Sequence, residues 1–115
     1  MKGYCAGPMT GYPLYNWPMF EWVVAEYRAN GWEMVSPTEI DESVDWAVHV
    51  KRAHDGSVIS VELQDTFDYD RMLALDFEEL RTCSAIVLLP EWQHSNGAKL
   101  ELAEALRLGL EVRLA

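Results

Sequence analysis

Three stretches of this 115-residue chain combine residue types able to do chemistry. Ser95-Asn96-Gly97 stands where a helix should begin, just after a loop that opens at Pro90. A helix N-terminus presents unpaired backbone N–H groups and a partial positive charge, so it holds an anion without needing Lys or Arg. Ser95 would add its hydroxyl and Gly97 would admit a ligand close to the backbone; the alternative is that Ser95 only caps the helix. Glu101, six positions beyond Ser95, reads by itself as a solvated helix residue beside Glu104. Asp76 is odd in a different way, flanked by Met72 and Leu80 at i−4 and i+4 with Leu73 and Phe77 alongside. A carboxyl on an apolar helix face is normally avoided or paired, and burial would raise its pKa towards a value useful to a general acid. The alternative is an edge position with the side chain in water.

The third stretch, Tyr4-Cys5-Ala6-Gly7-Pro8-Met9-Thr10-Gly11, lacks the spacing of a dinucleotide fingerprint or a P-loop and by itself reads as a tight turn. Trp92, Trp17 and Tyr12 flank the same region and are able to stack on a base, although aromatic residues in a small domain more often fill its core. Cys5 and Cys83 match no CxxC or zinc spacing, so two buried thiols are expected, with no metal and no cofactor.

The elements that must position these residues follow from periodicity and turn chemistry. Residues 1 to 6 suit a short strand ending at Gly7-Pro8. A helix follows, with Asn16 as N-cap, Pro18 in its first turn, a face of Phe20, Val23, Val24 and Tyr27, and Gly31 as its stop. Trp32 to Val35 makes a second strand, closed by Ser36-Pro37. The segment from Thr38 to Asp68 is the least periodic; it suits a short helix near Val44 to Arg52, a turn at Asp55-Gly56 and a strand at Val58 to Leu63. Tyr69 to Cys83 is helical with Leu73, Phe77 and Leu80 along one stripe. Ala85 to Leu89 reads as a strand buried on both faces, Ser95 to Gly109 as a helix with Ala98, Leu102, Ala105 and Leu106 on one side, and Val112 to Leu114 as a closing strand.

Strands alternating with helices predict a single α/β domain over residues 1–115. Its architecture is a three-layer α/β/α Rossmann-like, flavodoxin-like fold with a parallel sheet of four or five strands. Residues 42–66 read as a variable insert. In such sheets ligands bind at the carboxyl ends of the strands, where the Gly7 to Pro13 and Pro90 to Gly97 loops lie.

Tyr4-x-Ala6-Gly7-Pro8, Asp76 ahead of Ser84-Ala85-Ile86-Val87, and Ser95-x-Gly97-x-x-x-Glu101 together resemble the nucleoside 2-deoxyribosyltransferase superfamily. Within it the likeness is nearest to a small uncharacterised family of bacteria and phages, related to nucleoside 5′-monophosphate N-glycosidases. The resemblance covers the chain except about residues 42–66. It implies that Glu101 is the nucleophile that attacks the anomeric carbon, that Asp76 acts near the departing base, and that Tyr4 holds the glutamate and sugar. It further implies that Ser95 and Gly97, with Asn96, Gly7 and Pro8 beside them, bind the substrate or its 5′-phosphate, and that the partner is a nucleoside or nucleotide in a site some members build across a homodimer.

The chemistry stands on its own as well. Breaking an N-glycosidic bond passes through an oxocarbenium-like state that one carboxylate can stabilise or trap, while a second, protonated carboxyl assists departure of the base. A non-catalytic module that senses or sequesters a nucleotide would need Ser95 and Gly97 but not Glu101 and Asp76 together. The Gly7 to Pro13 loop contains no Lys or Arg, and Lys99 is the only cation near Ser95.

Composition excludes other classes. Nineteen acids against nine bases give a net charge of −10, which argues against coating a nucleic acid polymer. Half of the residues are apolar, the balance of a globular domain, yet no apolar run approaches the roughly 20 residues of a membrane span. No secretory signal is readable, which predicts a cytoplasmic protein. Residues 39–79 carry 12 of the acids and only 3 bases, whereas the two loops are nearly free of charge.

Overall fold

Side-chain alternation in two central strands builds the molecule. The computed structural model describes residues 1–115 and contains β1 (Lys2–Ala6), α1 (Trp17–Ala29), β2 (Glu33–Val35), α2 (Pro37–Ser43), β3 (Val48–Arg52), β4 (Val58–Leu63), α3 (Tyr69–Leu80), β5 (Ala85–Leu88), α4 (Asn96–Leu108) and β6 (Glu111–Leu114). Tyr4 and Ala6 of β1, with Ile86 and Leu88 of β5, point to one face and pack with Leu80, Ala98 and Ala105 of α3 and α4. Cys5 and Val87 point to the other face, where Phe20, Val23 and Val24 of α1 cover them. Two cores on opposite faces of one sheet make a three-layer α/β/α domain, and burying each large side chain of α1 contributes about 1.5–3 kcal/mol.

The four-stranded sheet has the order β2-β1-β5-β6 and is parallel throughout, with Tyr4 opposite Ile86 and Ala6 opposite Leu88. The chain leaves β1 for β2 on one side and later returns to β5 on the other. The switch point therefore falls between β1 and β5, and the loops after these two strands flank it. No helix is long and apolar enough to cross a membrane.

Several elements differ from expectation. Val48–Arg52 is a strand, not part of a helix, and pairs antiparallel with Val58–Leu63 in a separate two-stranded sheet. The alternation of β-branched residues at Val48 and Val50 with polar neighbours outweighs helix propensity once a partner strand is in reach. Arg52 ties this hairpin to the main body, reaching Glu21 of α1 at 2.9 Å and Glu42 of α2 at 2.7 Å. Helix α2 begins where Ser36 accepts from Thr38 N and Pro37 occupies the first turn, a start signal that reads equally well as a strand stop. Asn16 precedes α1 without capping it; its side-chain amide instead donates to Pro8 O at 2.9 Å. The buried stripe of α3 is Met72, Asp76 and Leu80 rather than Leu73, Phe77 and Leu80, and that of α4 is Ala98, Glu101 and Ala105, while Leu106 is exposed. Both helices are turned so that a carboxyl faces inward.

Candidate functional site

What receives those carboxyls is a cavity of about 480 Å³ at the carboxyl edge of the sheet. The loop after β1 contributes Gly7 and Pro8, the start of α4 contributes Ser95, Asn96 and Gly97, and the helices bring in Asp41, Asp76 and Glu101. The hairpin supplies an apolar wall through Val48, Val61 and Leu63, continued by Phe67. Segments 90 residues apart thus meet because β1 and β5 are neighbours in the sheet.

Glu101 sits at the cavity base with 5% of its surface exposed, and the Tyr4 hydroxyl donates a hydrogen bond to its Oε2. Tyr4 is wholly buried in β1 and its phenol is held well above the usual pKa, by burial first and then by the charge of Glu101, so it stays a donor. Burial pushes the Glu101 carboxyl up to about 8, opposed by the Tyr4 hydrogen bond, which favours the ionised form. Asp76 is pushed up to about 9 by burial and by the charges of Glu101 and Asp41, and its Oδ1 has no hydrogen-bond partner. Asp76 therefore keeps its proton at neutral pH, and the Tyr4 hydrogen bond favours ionisation at Glu101.

The α4 start is built as its residues suggest. Ser95 Oγ accepts from Ala98 N at 3.1 Å, and the first intrahelical bond runs from Lys99 N to Ser95 O, which leaves the Asn96 and Gly97 N–H groups ahead of the ladder. Ser95 thus caps the helix and lines the cavity at once. The glycines are a different matter. A Cβ on Gly7 would lie 2.7 Å from Leu89 Cβ, so packing beneath the loop demands this glycine whatever the ligand. A Cβ on Gly97 would meet the Tyr69 hydroxyl at 3.0 Å; the space above the α4 start is taken by Tyr69.

Of the two tryptophans expected to stack, Trp17 lines the cavity and is completely buried, and its Nε1 has no partner. Trp92 is placed differently: it packs, partly buried, against the α3–α4 core and is absent from the cavity lining, because the turn at residues 92–94 carries it over the sheet face. Leu14, Tyr15 and Asn16 all adopt left-handed backbone conformations, with φ of 53°, 51° and 61°. Such a run costs about 1–2 kcal/mol per residue, and it delivers Tyr15 and Trp17 to the cavity.

Sequence reasoning missed Asp41. It lies on α2, is 5% exposed, makes no hydrogen bond to the protein, and burial pushes its carboxyl up to about 7. The Ser36-Pro37-Thr38 start signal could have found it, because a helix beginning there after β2 must sit at the same sheet edge. Tyr69, Tyr15 and the hairpin wall were also missed, having no local signal. The cavity lining contains no Lys or Arg, and no set of His, Cys, Asp and Glu is grouped to hold a metal ion. Cys5 and Cys83 are free and buried, with thiol pKa values raised by burial, which makes poor nucleophiles of both.

No curated protein matches the chain. A family described as a domain of unknown function, DUF4406, matches it over residues 1–54 and 50–114, the two segments overlapping in the β3–β4 hairpin that walls the cavity. With nearly every residue so matched, the chain belongs to the DUF4406 family.

Proposed function

We propose that the cavity cleaves, or transfers across, the N-glycosidic bond of a nucleoside or nucleoside 5′-monophosphate. The observation that carries this reading is the pair of unlike carboxyls in one cavity: Glu101 held by the Tyr4 hydroxyl and Asp76 without a partner. Glycosyl chemistry needs that inequality, one group ionised and one protonated.

In the proposed step a Glu101 oxygen bonds to C1′ as the C1′–N bond breaks, and the electron pair passes to the base nitrogen. The Asp76 proton goes to the departing base. Water, or a second base in transfer, then attacks C1′ and frees Glu101, with Asp76 taking up the released proton. Tyr4 orients the Glu101 carboxylate. The start of α4 anchors the 5′ end of the substrate, so that remote binding energy positions C1′.

We further place the protein in the cytoplasm as a homodimer. Free thiols suit a reducing compartment. Leu100 and Leu106 on α4 and Val112 and Leu114 on β6 are exposed apolar residues that a symmetric partner would cover. Light scattering tests the dimer. The catalytic reading is tested by incubating the protein with nucleosides and 5′-monophosphates and separating free base by chromatography. Base release lost in Glu101→Ala supports it; no release above that control from any compound overturns it, and adding a second base separates transfer from hydrolysis.

A further inference from the structure

We infer that the substrate is a nucleoside lacking a 5′-phosphate whose base carries a positive charge, of the pyridinium or N-alkylpurinium kind. This rests on the N-glycosidic reading and specifies the substrate class of that site.

The lining is the first ground. Asp41, Asp76 and Glu101 share the cavity with no Lys or Arg. Lys99 is exposed and lies outside the lining. His94, the one basic side chain at the rim, is largely exposed and lies 3.6 Å from Glu91. A phosphate entering here would find no Lys or Arg, only neutral groups such as Thr10 and Asn96, the rim His94 and the α4 N-terminus, worth about half an elementary charge, with Ser95 Oγ already engaged by Ala98 N and Tyr69 over Gly97. Its own charge would raise the three carboxyls further and keep Glu101 protonated, which removes the nucleophile. A cation does the reverse: it favours ionised Glu101.

The second ground is independent of the acids. Trp17 is wholly buried, lines the cavity, and its Nε1 has no acceptor. A buried donor left unpaired costs about 1–3 kcal/mol, which a ligand oxygen or ring nitrogen recovers. Asp76 Oδ1, equally buried and unpartnered, calls for a positive or donor group in the same ligand. Tyr15 and Phe67 offer aromatic surface to a flat cation. A charged base meets all of these demands together. Its departure is also balanced without a proton: as Glu101 bonds to C1′, the C1′–N electron pair neutralises the ring, and the base leaves uncharged with no proton asked of Asp76.

The test has a binding arm and a turnover arm. Calorimetry compares 1-methylnicotinamide, a pyridinium cation with no glycosidic bond, with neutral nicotinamide. Base release compares nicotinamide riboside, its 5′-monophosphate, adenosine and adenosine 5′-monophosphate. The expected result is binding of the cation at least about tenfold tighter than the neutral ring, one factor of ten being 1.4 kcal/mol. Nicotinamide riboside should exceed both its monophosphate and adenosine in kcat/KM by a similar factor, and Asp41→Asn should reduce the cation's advantage severalfold. Equal binding of charged and neutral rings, or preference for a monophosphate or for adenosine, overturns the inference. Preferred turnover of a monophosphate would do so while leaving the N-glycosidic reading intact; cation-selective binding with no base release from any compound keeps the ligand class and overturns catalysis instead.

Discussion

Glu101 and Glu104 stand one turn apart on α4, and their surroundings are opposite. Glu104 is bonded to Arg107 and Arg81, which hold its carboxyl below the usual range. Glu101 faces the cavity with only a tyrosine hydroxyl as partner, and burial holds it above the usual range. The contrast extends to the whole molecule. Arg28 pairs with Glu39, Arg52 with Glu21 and Glu42, Arg113 with Glu111, and Arg71 stacks on Trp46, all outside the cavity. Asp41, Asp76 and Glu101 have no arginine at all in the cavity they line. Several acidic residues outside the cavity are paired with arginine where they stand, whereas those in the cavity are left to be satisfied by a ligand.

The largest effect expected from breaking this arrangement is on turnover. Glu101→Ala should lower base release by at least about a thousandfold, while Glu104→Ala, three residues on and outside the cavity lining, should leave it unchanged; equal losses would show that the two glutamates do not differ in function. Asp76→Asn comes next, with a loss of about 10²–10⁴ in kcat for bases that must be protonated to leave and a much smaller one for a base already charged.

The pH profile sharpens the comparison further. Turnover of a neutral-base nucleoside requires Glu101 without its proton and Asp76 with it. kcat/KM should therefore rise as pH increases through about 8 and fall again above about 9, a narrow bell on the alkaline side of neutrality. Tyr4 and Tyr69 facing the pair titrate higher still, and Asp41 ionises around 7, ahead of both. A profile centred below pH 6 would contradict these environments.

Stability carries the same signature at smaller scale. Asp41, Asp76 and Glu101 have folded pKa values raised above their unfolded ones, so between about pH 4 and 9 the native state binds more protons than the unfolded chain. The contribution of these three groups is fully present below about pH 4 and is lost as pH rises through 7, 8 and 9. Asp76→Asn, which removes the ionisation at nearly the same shape, should regain on the order of 2 kcal/mol at pH 9 and nothing at pH 4, as read from thermal unfolding at the two pH values. Arg81→Ala, which loosens Glu104 at the surface, should shift the unfolding midpoint least of all.

The layers of this protein were legible in its sequence because they depend on local pattern. The apolar run Ala85 to Leu88, the Phe20, Val23, Val24 face and Gly31 after α1 each determine an element within a few residues, and their alternation leaves a parallel sheet as the compact arrangement. The loops after β1 and β5 followed from the same rule, and with them the vicinity of Tyr4, Ser95 and Gly97. The tertiary structure alone decided that α3 and α4 turn Asp76 and Glu101 inward, since rotation of a helix about its axis is set by what packs on either side of it, and the sequence of α3 favours the fully apolar Leu73, Phe77, Leu80 stripe over the one that carries Asp76. It alone brought Asp41 into the cavity, folded residues 48–63 into an apolar wall, and used every arginine elsewhere. Charge counts along a chain add up to a total, but the pKa of a carboxyl depends on the water and counter-charges within a few ångströms, and those are assembled only when distant segments meet.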